Sequence, residues 1–188
     1  EVKNQILGCE ARGVPVKLLC IGRKGYELLK REHQQKIIAV ESEVGKEGIQ
    51  FNQAMTIALK LEQMLAQGEI GKVRAVYSVF KSAISQQIRH THLIPVDVHS
   101  IVDHTIIEYE PDHEKVVMAL LPQTLASSLF EILLETSASE HGARMTAMDN
   151  ATRNARDVIQ RLELIYNRTR QSVITKELIE IISGAEAL

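Results

Sequence analysis

The chain has 188 residues, a formal charge of −2 and 45% hydrophobic residues. That content suffices for a buried core, and the near-neutral charge gives no global field to recruit nucleic acid or anionic lipid. Aromatic residues are only 4%, with no Trp, so aliphatic and Ala packing must carry the core, as in helix-rich and coiled-coil proteins.

The chain opens without Met at Glu1-Val2-Lys3, in mid-pattern, and reads as a piece of a longer protein. Cys9 and Cys20 stand in its first, apolar part with no His or Cys at metal-ligand spacing. They are expected to be buried thiols of a reducing compartment, with no secretory signal. No apolar run approaches the roughly 20 residues of a membrane span, so no direct span is expected.

Val16 to Ile21 is a short apolar run closed by Gly22, which predicts a buried strand. Tyr26 to Arg31 reads as a short helix, and Lys36 to Val40 as a second strand. A polar loop with Gly45 and Gly48 leads to an amphipathic helix over Phe51 to Gln67. Its predicted apolar stripe is Met55, Ala58, Leu59, Leu61, Leu65 and Ala66, and Gly68 and Gly71 can end it. Val73 to Phe80 alternates, with Val73, Ala75, Tyr77 and Val79 on one face. Ile88 to Val96 is the returning strand across a polar turn at Ser82 to Gln87. The order β-α-β-α-β-β predicts an α/β layered domain over residues 1–111.

Residues 112–188 differ in kind. No Gly stands between Asp112 and Gly142, and none again until Gly184. A nearly continuous helix from about Asp112 to about Ser183 would be roughly 100 Å long. Pro122 would kink it or mark its start, since an interior proline costs about 3 kcal/mol. Met148, Ala151, Ala155, Val158, Leu162, Ile165, Thr169 and Ser172 step by alternating threes and fours, a heptad seam. Small residues in it allow close approach of a neighbouring backbone. A second apolar face holds Ile159, Val173, Ile174, Leu178, Ile181 and Ile182. A helix apolar on two sides needs partners along its length. No second helix of that length is predicted here, so they must come from a missing segment or other chains.

Chemical constellations are weak by comparison. Gly22-Arg23-Lys24-Gly25 lies where phosphate loops occur, yet matches neither G-x-x-x-x-G-K-[ST] nor G-x-G-x-x-G, and reads as a tight strand-to-helix turn. His90 and His92 share a strand face, with His99 and His104 further on, but lack a nearby acidic or Cys ligand; a solvated edge is the expectation. Glu108, Glu110, Asp112 and Glu114 alternate in a polar context that offers no burial to separate their pKa values. Asp112 and Glu114 instead suit a helix N-terminus. Arg144, Arg153, Arg156, Arg161, Arg168 and Arg170 alternate with Glu140, Asp149, Asp157, Glu163, Glu177 and Glu180, a mixed-sign face and not a nucleic-acid stripe. No catalytic triad, cofactor or metal site emerges.

Two long motifs are more specific. Ser139-Glu140-His141-Gly142-Ala143-Arg144-Met145-Thr146-Ala147-Met148-Asp149-Asn150-Ala151-Thr152 resembles the signature of F-type ATP synthase gamma subunits. The stretch from Tyr166-Asn167 through Arg170-Gln171, Ile174-Thr175, Glu177-Leu178 and Ser183-Gly184-Ala185 is similar to that family's C-terminus. Tyr109-Glu110-Pro111-Asp112 and the Gly22 turn match further landmarks in order. The family's long N-terminal helix and first strand, with its D-R-G-L-C-G motif, are absent here.

The resemblance implies a small Rossmann-like layered α/β domain followed by a very long C-terminal helix, half of an antiparallel coiled coil whose other half is the missing N-terminal helix. It implies a non-catalytic rotor subunit that couples c-ring rotation, driven by protons, to the catalytic beta subunits. Its implied partners are alpha and beta subunits, the epsilon (or delta) subunit and the c-ring. Carried over by position, Arg144, Arg170, Gln171, Thr175 and Glu177 would meet the alpha/beta ring. Tyr109 and Glu110 would lie near the c-ring foot. The implied location is peripheral, on the cytoplasmic side of a bacterial inner membrane or the matrix side of the mitochondrial one. From the residues alone, a homodimeric coiled-coil adaptor with an α/β head, or a nucleotide-binding enzyme using Gly22 to Gly25, stands as an alternative.

Overall fold

A computed structural model describes residues 1–42, 44–45, 48–95, 110 and 112–186. It divides into two compact units, Glu1–Glu140 and His141–Leu188. The last helix, α4 (His113–Glu186), contributes residues to both.

In the first unit, α1 (Val2–Glu10) precedes the elements read from sequence and was not among them. Only Ile6 of α1 is buried, so its apolar pattern is too sparse to read. Ion pairs tie it to the next helical segment: Lys3 to Glu32 at 2.6 Å, and Glu10 to Lys36. Arg74 donates to the Gln5 side chain from the sheet beyond.

β1 (Leu18–Ile21), α2 (Arg23–His33), a 3-10 turn at Gln34–Lys36 and β2 (Ile37–Glu41) form a βαβ unit. The strands pair in parallel, Leu18 with Ile37 and Cys20 with Val40. Parallel neighbours need such a crossover, which α2 supplies. Gly22 starts α2 at φ +94°, a value that favours glycine, and its amide donates to the Glu41 carbonyl at 2.9 Å. The Gly22 loop is thus a strand-to-helix turn braced on β2. Cys20 is buried as expected, and burial pushes its thiol pKa up. Cys9 is only half-buried, which corrects that part of the reading. It lies on the surface helix α1, whose single buried side chain is Ile6.

α3 (Phe51–Ala66) starts on a reciprocal cap, in which the Gln50 amide donates to the Gln53 side chain at 3.2 Å. It ends before Gly68, at φ +70°. The buried stripe is Ala54, Ile57, Ala58 and Leu61. This corrects the predicted stripe: Ala58 and Leu61 are in it, whereas Leu59, Leu65 and Ala66 are exposed. Leu59 follows the buried pair Ile57 and Ala58 by one residue, a turn of about 100° that carries it off the core face.

β3 (Val73–Phe80) and β4 (Gln86–Ile94) form an antiparallel hairpin, with Tyr77 opposite Arg89. The Tyr77 hydroxyl lies 3.2 Å from that of Thr91. Of the predicted face, Val73, Ala75 and Tyr77 pack on the core, whereas Val79, half-buried near the end of β3, is outside the core cluster. Val96, read as the end of β4, lies outside the described residues, as do Tyr109, Glu108, His99 and His104. The β1–β2 and β3–β4 pairs are separate ladders among the described residues.

The core joins α3 to the early turns of α4. Ala54, Ile57, Ala58 and Leu61 cluster with Leu93 of β4 and with Leu125, Ala126, Leu129, Ile132 and Leu133 of α4. Ala54, Ala58 and Ala126 are fully buried, and their small size lets the helices approach closely. Leu19 and Ile21 from one ladder, and Val73, Ala75 and Tyr77 from the other, pack on this cluster. The Ser78 and Ser139 hydroxyls meet at 2.7 Å, pairing the one buried polar residue described.

α4 begins at His113, so Pro122 lies inside it and does not mark its start. The Met118 carbonyl loses its helical donor there, beside a largely exposed side chain. By length and composition one stretch of α4 could cross a membrane, which corrects the expectation that no run approaches that length. The buried face of α4 nonetheless has a protein partner in α3.

An unpartnered surface on the long helix

In the second unit, α4 carries its seam in the open. Met148, Val158, Leu162 and Ile165 are 65%, 53%, 58% and 61% exposed, and Ala151, Ala155, Thr169 and Ser172 are exposed too. The second face, Ile159, Val173, Ile174, Leu178, Ile181 and Ile182, is equally exposed. Monomeric proteins rarely leave so long an apolar surface in water. Two sides of one helix with no cover call for neighbours on both.

The charged groups on this helix are mostly satisfied locally or solvated. Asp149 pairs with Arg153 and Glu180 with Lys176, each across one turn. Arg144 is exposed and takes part in an interaction of its own. Arg170, Gln171, Thr175 and Glu177 are exposed on the final turns. The Thr175 hydroxyl donates to the Gln171 carbonyl at 2.8 Å, a back-bond to the preceding turn. Glu110 is exposed, and Tyr109 lies outside the described residues.

The weaker constellations find structural roles. His90 Nε2 lies 3.2 Å from Glu1 and His92 3.3 Å from Arg74, under α1. His90 is half-buried, so the expectation of a solvated edge holds only for His92. Among the described residues no three His, Cys, Asp or Glu groups are placed to hold a metal. Asp112 supplies the carbonyl that accepts the Val116 amide at 3.1 Å, and Glu114 lies in the first turn of α4. Glu110, Asp112 and Glu114 are all exposed.

Besides α1, a tertiary feature is not legible in the sequence. Phe51, Phe80 and Phe130, the three phenylalanines of the chain, line one apolar groove with Leu134 and Ala138. The Phe51 and Phe130 rings meet edge to face at 5.7 Å. The three residues are far apart in the chain and carry no shared local pattern, so only tertiary packing brings them together.

The family model described as ATP synthase matches residues 1–188. The chain belongs to the ATP synthase gamma-chain family. It is 48% identical to the ATP synthase gamma chain of Rhodospirillum rubrum, covering 95% of this chain and 64% of that one. For the gamma chain of Granulibacter bethesdensis the identity is 44%, with 95% and 63% covered. The chain thus spans less than two thirds of the length of these relatives. A chain in the central stalk and c-ring structure of Tetrahymena thermophila mitochondrial ATP synthase is similar at 30% identity and a TM-score of 0.58, covering 72% of this chain and 60% of its own. A chain in the Euglena gracilis mitochondrial ATP synthase shares the fold, with a TM-score of 0.64 at 20% identity over 98% of this chain and 66% of its own. A small sheet-bearing domain followed by a long helix is the architecture held in common, as expected from the sequence.

Proposed function

We propose that this chain is the greater part of a central-stalk rotor subunit, which couples ion-driven rotation of a c-ring to conformational change at the catalytic beta subunits of an ATP synthase. The observation that carries the reading is the two-sided apolar face of α4 from Met148 to Ile182, exposed throughout. One side suits an antiparallel helix from the part of the protein N-terminal to Glu1; Ala151 and Ala155 admit its backbone closely. The other suits an apolar collar formed by alpha and beta subunits. Residues 1–111 serve as the head, toward the epsilon (or delta) subunit and the c-ring, with Tyr109 and Glu110 at its foot. Residues 112–188 serve as the shaft.

The mechanism is allostery by a rotating ligand. A shaft shifts a catalytic site only if it contacts its conformations differently. Arg144, Arg170, Gln171, Thr175 and Glu177 supply polar contacts to the ring, whose strength changes as the shaft turns. Arg170 can make charge-assisted hydrogen bonds to carboxylates, about twice as strong as neutral ones. No residue of the chain performs bond chemistry in this reading; the subunit is non-catalytic and uses no cofactor. It works as a peripheral protein, on the cytoplasmic face of a bacterial inner membrane or the matrix face of the mitochondrial one.

The test is reconstitution with alpha and beta subunits in the presence of the missing N-terminal segment. A stable complex with ATPase activity is expected, and Arg170→Ala should lower coupled ATP synthesis more than it lowers assembly. Failure to assemble, with homodimers formed through the seam instead, would favour a homodimeric adaptor and sink the rotor reading.

A further inference from the structure

We draw no further inference here: the strongest candidate, the apolar groove that Phe51, Phe80, Phe130 and Leu134 line between α3, β3 and α4, carries nothing because nothing in the structure shows what covers it.

Discussion

Replacing Leu129 by Ala separates the two roles of α4. Leu129 is 3% exposed and sits among Ile57, Ala58, Leu61 and Leu125 in the core. Truncation removes three carbons, worth about 0.8 kcal/mol each when buried. The cavity left between two helices adds to this, for a total of about 3 kcal/mol. In a unit of this size that lowers Tm by on the order of 10 °C. Leu162 has the same side chain on the same helix but is 58% exposed. In the isolated chain, Leu162→Ala should change stability by no more than about 0.5 kcal/mol. Urea melts of both variants, followed by Tyr fluorescence and far-UV circular dichroism, give the comparison. Equal costs at the two sites would refute the packing of the early turns of α4 on α3.

Ala155→Leu should impair assembly once the missing helix is supplied, because overpacking typically costs about 1–3 kcal/mol; unchanged assembly by size exclusion would contradict the seam assignment. Lys3→Ala should raise the titration midpoint of Glu32, since the Lys3 hydrogen bond and charge hold that carboxyl below its ordinary value. A depressed pKa favours the folded state above the ordinary carboxylate range, and that contribution is lost as pH falls through the lowered value. Carbon-13 NMR titration of the Glu32 carboxyl reads the shift, and an unmoved midpoint counts against the α1–α2 ion pair. Under native conditions a thiol reagent should label half-buried Cys9 well before buried Cys20, whose thiolate is further disfavoured by burial. Mass spectrometry gives the order, and the reverse order would overturn the placement of β1.

The local elements were written in the chain. The alternation of Val73, Ala75 and Tyr77 fixes a strand and its core face, because a period of two has only two sides to choose from. The apolar run before Gly22 fixes β1, and the Gly-poor stretch after Asp112 fixes α4. The heptad steps from Met148 to Ser172 identify a surface that must be covered, since no neighbour of like length exists in the described structure. The family signatures from Ser139 to Thr152 and from Tyr166 to Ala185 then name the kind of assembly involved.

Tertiary structure decided which face of each helix is inside. On α3 the apolar residues spread around more than one side, so the sequence pattern takes in Leu59 and Leu65 and leaves out Ala54 and Ile57, both of them buried. Only the arrival of Leu125, Leu129 and Ile132 from α4 selects the Ala54–Leu61 stripe. The early turns of α4 read as shaft, because helix periodicity does not change where a partner does. Their burial against α3 is set by residues some seventy positions away, which no local pattern records. The convergence of Phe51, Phe80 and Phe130 is invisible for the same reason. Sequence therefore determined the elements after α1 and the exposed seam, while long-range contacts alone determined where the globular core ends along α4.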